Sequence, residues 1–461
     1  MILYNFRGAT ILDYNLLLGY IAKIRKAADI DFYANINATL ICNPSVTEFP
    51  RFFFSGRVYK PSKIKLFLLS CVKFYARSLI YLLSFFYGFL IHKYCFKKLI
   101  DSVELSDVVL DLFVDVDKVD VECAFNDTYF SALYPVLDEE KKGCVFLPRL
   151  RNVSLNPLKS FRQLRSFYHV INNNNRNFIF EYDLLSVTDF FRLFWMMGCY
   201  PFKTLNFIQK EASQIDTLFN YHLMKDIPKV GLDVFSRYIF GKNLQRIRNL
   251  THVYSWSEFQ DIERSFNFAI REIGNIEVTA CQFLVVSPNL LHLPVREIDV
   301  FTRCAPHKVL VNGPQALMRC LGVEYDVGVS LRYHNVFKVL PKADGISTLV
   351  LGSYDILATK NSLKKLAFVD KYLFKGHPAI SDSIFTKELG KAGIITNENI
   401  YDLFPQSEII ITSAGGTSVE AVACGLSVIV IGSADDLMNN TLVEYGKGQI
   451  WDFVVTEMDL K

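Results

Sequence analysis

The sequence predicts an α/β fold built on parallel sheets, and three observations predict it. Between Lys308 and Ile431, short runs rich in β-branched residues alternate with stretches of helical character. Those runs are apolar along their length, as strands covered on both faces are. Glycine or proline closes most of them, where a strand must turn toward a helix. With 461 residues, 51% hydrophobic and 21% charged, the chain is core-forming and long enough for two or three domains.

In chain order, Lys63, Lys65, Lys73 and Arg77 precede an uncharged segment, residues 78–91 (SLIYLLSFFYGFLI), and Lys93, Lys97 and Lys98 follow it. The segment is shorter than the roughly 20 residues of a membrane span. Two readings stand: a helix lying on the face of an anionic membrane through residues 63–98, or a buried core helix with solvated ends. A full span would draw Lys73 and Arg77 into hydrocarbon. Residues 108–121 read as a strand with one wet face, and 143–150 as a second strand. Residues 172–175 form a loop, 177–182 a strand and 184–197 a helix. Phe259, Ile262, Phe266 and Ile270 recur at helical spacing and place a helix over 257–272.

The second half is more regular. Strands are predicted at 308–312, 347–352, 372–375, 407–412 and 427–431, with helices at 315–320, 361–370, 387–392 and 417–424. This alternation places a doubly wound nucleotide-binding domain at 296–440. A first domain, 1–295, then carries a helical, apolar insertion at about 60–100, and a tail, 441–461, crosses back to it.

The 50 basic and 47 acidic residues leave a net charge of +3, too even a balance for a general nucleic-acid binder. Ten cysteines are scattered singly, without CxxC or zinc spacing. That usage fits a reducing, cytoplasmic setting. Arg7 and Asp13 interrupt the first apolar residues, and no signal peptide is expected.

The strongest chemical signal is residues 411–431, ITSAGGTSVEAVACGLSVIVI. A strand runs into a glycine-rich loop that opens a helix, and a second strand follows. Ser413, Gly415, Gly416, Thr417 and Ser418 stand at the strand's carboxyl end. Helix-start amides, glycines and hydroxyls together suit a phosphate. The alternative is an ordinary capped helix with Glu420 complementing its dipole. A second loop, Lys375-Gly376-His377-Pro378, ends the preceding candidate strand. If the two strands are near neighbours, Lys375 and His377 reach an anion at the same edge. Asp115-Val116-Asp117 spells a DxD metal element but reads better as a strand face, and no metal is expected.

KGHP with TSAGGTSVEA resembles the donor-binding half of bacterial GT-B glycosyltransferases that use CMP-activated acidic sugars. These are the Kdo, sialyl- and pseudaminyltransferases of capsule and lipopolysaccharide synthesis. The resemblance implies two Rossmann-like domains facing a cleft. It implies that His377 and the hydroxyls of Ser413, Thr417 and Ser418 hold the donor phosphate, with Glu420 on the ribose; Lys375, Gly376, Pro378, Gly415 and Gly416 complete the two donor-binding loops as read from the residues. It also implies a nucleotide-sugar donor, a glycan acceptor and no further cofactor; the basic-flanked apolar segment, read as a membrane-face helix, would place the chain at the inner face of the cytoplasmic membrane. CDP-glycerol-type polyol-phosphate transferases show a comparable pattern. The non-enzyme reading is a nucleotide-binding subunit of a polysaccharide assembly complex. Residues 254–260 (YSWSEFQ), Glu263, Cys281-Gln282 and 309–314 (VLVNGP) resemble a family of surface carbohydrate biosynthesis proteins. Where that family has His after the Gln, this chain has Phe283. The attacking hydroxyl needs a base within reach. Glu258 is the first candidate and Glu181 the second, with Asp189 and Glu263 behind them and His377 on the donor side.

Overall fold

The computed structural model describes residues 32–36, 63–96, 106–116, 129–130, 133–139, 143–174, 176–208, 210, 214–282, 293–328, 333, 335–340, 347–353, 355–378, 380–413, 415–431, 442 and 448–454. The chain divides into two compact units between Gly328 and Tyr333. The first is built on seven strands: β1 (Val108–Asp115), β2 (Cys144–Arg151), β3 (Asn177–Phe178), β4 (His252–Trp256), β5 (Glu277–Cys281), β6 (Lys308–Val311) and β7 (Glu324–Val327). They lie in the order 3-2-1-4-5-6-7, every neighbouring pair parallel. The second has six: β8 (Ser347–Leu351), β9 (Tyr372–Lys375), β10 (Gly393–Ile395), β11 (Ser407–Thr412), β12 (Ser427–Ile431) and β13 (Trp451–Val454). Their order is 10-9-8-11-12-13, again all parallel. Each sheet therefore reverses its winding once, between β1 and β4 and between β8 and β11. The expected α/β, doubly wound architecture is present twice.

Helices cover the sheets, and their ends follow from local chemistry. Asn156 caps the helix Pro157–Asn172, accepting from the amides of Leu158 (3.0 Å) and Lys159 (3.3 Å). The long α1 (Lys63–Cys95) is 33 residues, and α2 is that Pro157–Asn172 helix. Next come α3 (Val187–Thr204), α4 (Leu232–Asn243) and α5 (Asp261–Ile273), which stops at left-handed Gly274 (φ 85°). In the second unit, α6 (Ile356–Lys365) begins at the capping Asp355, and α7 is Gly416–Ala423.

The core of the first unit encloses a buried charge network. Asp111, in the middle of β1, has no exposed surface. It pairs with Arg237 of α4 at 2.7 Å and with Arg149 of β2 at 3.0 Å, and accepts from Ser255 of β4 at 2.7 Å. Arg149 continues to Glu263 of α5 at 2.7 Å, and Arg237 to Glu181 at 3.4 Å. Three strands and two helices are thus tied by one carboxylate. Asp111→Ala is expected to destabilise the unit by about 3–5 kcal/mol, because it leaves two buried guanidiniums short of a counter-charge. The midpoint of denaturant unfolding checks this.

Several expectations need correction. Strand β1 stops at Asp115, and all its residues but Phe113 and Asp115 are buried, so neither face is wet. The strand expected over 177–182 pairs for only two residues. Phe178, Ile179 and Phe180 are all buried, and a short helix, Glu181–Leu184, starts at once. The helix expected at 315–320 is a single turn, Pro314–Ala316, and β7 follows. The domain boundary at 296 moves past 328, since β6 hydrogen-bonds to β5 of the first sheet. The described part of the tail does not cross back: Trp451–Val454 pairs with β12 at the edge of the second sheet. Asp117 and Phe283 lie outside the described residues.

Candidate functional site

In the second unit, register places the two predicted loops together. Lys375 of β9 is level with Leu351 of β8, and Leu351 is level with Thr412 of β11. At about 4.8 Å per strand step, the ends of β9 and β11 stand roughly 10 Å apart. The turn after β8 lies between them. Its Gly352 donates to the Lys375 carbonyl at 2.9 Å, and a Cβ there would come within 3.2 Å of the Gly376 Cα. Glycine at both positions is what lets these turns close on one another.

Immediately after β11, Ser413 is only 9% exposed, and its hydroxyl has no hydrogen-bond partner among the described residues. A buried orphan hydroxyl is costly unless something else satisfies it. Gly415 precedes α7 with an extended backbone, and the nearest atom to an added Cβ would be 3.8 Å away. Among the described residues, only the Ser413 carbonyl comes within 4 Å of that position. Gly416 and Thr417 occupy the first two helical positions, half-buried, where amides lack intrahelical partners. The Lys375 ammonium is half-buried and forms no ion pair with a described residue.

The remaining predicted residues fall elsewhere in the scheme. Ser418 is fully buried, and its hydroxyl donates to the Gly415 carbonyl at 2.6 Å. It staples the first turn rather than meeting an anion. Glu420 accepts from the Tyr401 hydroxyl at 2.6 Å, which pushes that phenol's pKa up together with its burial. His377 is half-buried, and its carbonyl accepts from Ile380 at 2.8 Å, closing the KGHP turn around exposed Pro378. A Cβ at Gly376 would meet Asp382 Oδ1 and push that side chain aside, a contact the sequence did not show. That oxygen is buried with no hydrogen-bond partner among the described residues, so Asp382 joins the candidate residues. Only its distance of six residues beyond Gly376 links them in sequence.

In the first unit, the loop after β4 sits at the switch between β1 and β4. Glu258 lies in it, half-buried, accepting from Gln260 Nε2. Phe259 adopts a left-handed backbone (φ 55°), unfavourable for a phenyl side chain. It is held by full burial of its ring, by its amide bonding Ser257 Oγ at 3.1 Å, and by the Arg264 guanidinium 4.6 Å above it. Strain of this kind collects at functional loops. Glu263 is bound to Arg149 and to the Gln260 amide, and Asp189 caps α3 through Ser186, so neither is poised as a base. Glu181 receives Arg237 and Ser236, and its pKa is raised, chiefly by burial.

The carboxyl that sequence reasoning missed is Asp261, the first residue of α5. Burial, then the neighbouring Asp233 and Glu263, raise its pKa to about 7. Asp233 is exposed yet crowded by protein atoms, and it too is raised. A base titrating near neutrality is what proton abstraction at ordinary pH requires. The residue looked like a helix-start acid, a common and inert role, which is why its spacing gave no signal.

Because the folded-state pKa of Asp261 lies above its unfolded value, the native state holds a proton that the unfolded chain releases. Stability from this group is full below the unfolded value and is lost as pH rises toward 7. Asp261→Asn is expected to stabilise the protein by near zero at pH 4 and by about 1–3 kcal/mol at pH 8. Thermal unfolding at the two pH values checks the sign.

No family model matches the chain, and no curated protein does. Similar solved structures include MurG of Acinetobacter baumannii, 12% identical with a TM-score of 0.37, covering 77% of this chain and 87% of that one. HepE of Anabaena in complex with UDP is 11% identical with a TM-score of 0.36, covering 77% and 87%. KpsC of Thermosulfurimonas dismutans, a β-Kdo 2,7-transferase, is 13% identical with a TM-score of 0.22, covering 45% and 84%. At this level of likeness, what the chain does is argued from its own residues.

Proposed function

We propose that the chain is a GT-B-type glycosyltransferase that moves an acidic nonulosonic-type sugar, pseudaminic acid, sialic acid or Kdo, from a CMP donor to a capsule or lipopolysaccharide glycan. The observation that carries the reading is the orphan hydroxyl of Ser413 beside the helix start at Gly415. It lies one strand away from the Lys375-Gly376-His377 turn, on the same sheet edge. That edge offers hydroxyl and amide donors and the Lys375 ammonium, a set suited to a leaving phosphate monoester. The family likeness of KGHP and TSAGGTSVEA supplies the sugar class.

In this reading the phosphate departs with its negative charge held by Ser413, the Gly416 and Thr417 amides, and Lys375. Within the first unit, Asp261 replaces Glu258 as the first candidate for a general base, because its pKa sits near neutrality. Glu258 becomes a positioning residue on the same loop. The eight described cysteines are all free thiols, in keeping with work in the reducing cytoplasm.

The test is a thermal-shift panel of CMP, CDP, UDP and GDP on the whole chain. CMP is expected to stabilise most, and Ser413→Ala to weaken CMP binding by about 5- to 10-fold through one lost hydrogen bond. Release of CMP from a CMP-sugar in the presence of acceptor should fall by about 100-fold or more in Asp261→Asn. A larger shift with CDP, and turnover of CDP-glycerol, would transfer the site to polyol-phosphate chemistry. Binding without turnover of any donor would make the chain a nucleotide-binding subunit.

A further inference from the structure

The apolar helix that the sequence left open between core and membrane is not alone. Along α1, Val72, Tyr75, Leu79, Leu83, Phe86 and Leu90 recur every three or four positions and face solvent. The stripe from Ile64 to Tyr94 runs for roughly 45 Å. Beside it, α3 does the same with Val187, Phe191, Phe194, Trp195 and Phe202, and Phe191 and Trp195 are 72% and 71% exposed. The two helices pack antiparallel: Phe67 meets Phe202, the Tyr75 hydroxyl bonds the Gly198 carbonyl at 2.8 Å, and Phe89 meets Phe190. On the other flank of α1, α2 begins beside Tyr87, with Leu158 outward. A helix apolar on its outer as well as its inner face is not covered by its own fold.

Charge says what covers it. The exposed positions of α1, α2 and α3 include Lys63, Lys65, Lys73, Lys159, Arg192 and Lys203. The three helices contain one acidic residue, Asp189, and it is buried. An apolar, aromatic face on helices whose exposed charges are all basic matches the acyl boundary and anionic headgroups of a bilayer. The helix lies on that surface rather than crossing it. Its opposite side is fastened lengthwise to the protein through buried Phe74, Ser78 and Ile91, and through His92, whose Nε2 is 2.7 Å from Asp183. Crossing would also carry Lys73 into hydrocarbon.

We infer that α1 and α3, with the start of α2, form one docking face for an anionic membrane, into which Trp195 and its aromatic neighbours insert. This does not depend on the transferase reading. The experiment mixes the full-length protein with vesicles of phosphatidylcholine alone or with about 30% phosphatidylglycerol. Binding to the anionic vesicles is expected to be at least roughly tenfold tighter, to weaken with salt, and to yield to an alkaline carbonate wash. Trp195 is the one exposed tryptophan of three, Trp256 and Trp451 being buried, so insertion should shift emission to the blue without any mutation. The double variant Phe191→Ser with Trp195→Ser, at exposed positions, should keep the wild-type circular dichroism and lose most of the binding. The inference is overturned by any of three results: an unshifted emission with no co-sedimentation, equal binding to neutral vesicles, or retention after carbonate. A stable dimer in the absence of lipid, dissolved by the double variant, would overturn it too and make the face a contact between two copies.

Discussion

The constraint on which the rest depends is the reversal of winding in each parallel sheet. Right-handed crossovers send helices to one face on one side of the first strand and to the other face beyond it. At the reversal, the loops leaving two adjacent strands diverge, and no helix can fill the gap between them. In the second unit that gap opens between β8 and β11, so the orphan Ser413 hydroxyl and the glycine-closed turn of Gly352 fall on its two sides. In the first unit it opens between β1 and β4, and the strained Phe259 loop leads from it directly into Asp261. Neither site needed a special fold; each uses the one edge that the topology leaves uncovered.

The second unit was the more legible in sequence because its strands are short apolar runs, several of them closed by glycine or by the Ser413 loop. Strands β9 and β11 match expectation residue for residue, since YLFK and SEIIIT end abruptly at Gly376 and at the Ser413 loop. The first unit hid its plan. Asp111 and Arg149 sit inside β1 and β2, so charges that read as a wet strand face are in fact the buried centre of an ion network. No single-sequence pattern distinguishes a solvated Asp from one neutralised by an arginine more than a hundred residues away. The same holds for β6, whose KVLV run is a good strand but says nothing about which sheet it joins. In the candidate site, the loop residues were legible as residue types. Ser418's inward bond and Asp382's approach to Gly376 were not, because both depend on packing distances.

The buried network also explains how a raised carboxyl can persist at Asp261. Glu263, two residues on, is neutralised by Arg149, and Glu181 by Arg237. The Arg149 and Arg237 guanidiniums are therefore already committed to other carboxylates. Its only described side-chain bond is to the amide of Ile262 at 3.0 Å, too little to offset crowding and two acidic neighbours. The cost of keeping that group unpaired is borne by the stability of the charge network around it.

A similar balance governs the outer helices. Soluble helices place polar residues outward because water rewards it; α3 places Phe191, Phe194 and Trp195 there while burying Leu193, Met196 and Met197 on the other side. Left in water, that outer stripe would favour self-association at every encounter. Its basic surround works against this between copies, since like charges repel, and works for it at an anionic bilayer. The pattern is thus selective rather than merely sticky. A protein that handled a freely diffusing acceptor would gain nothing from carrying it, whereas one whose acceptor is held at a membrane gains a fixed orientation of the first sheet's carboxyl edge relative to the lipid plane.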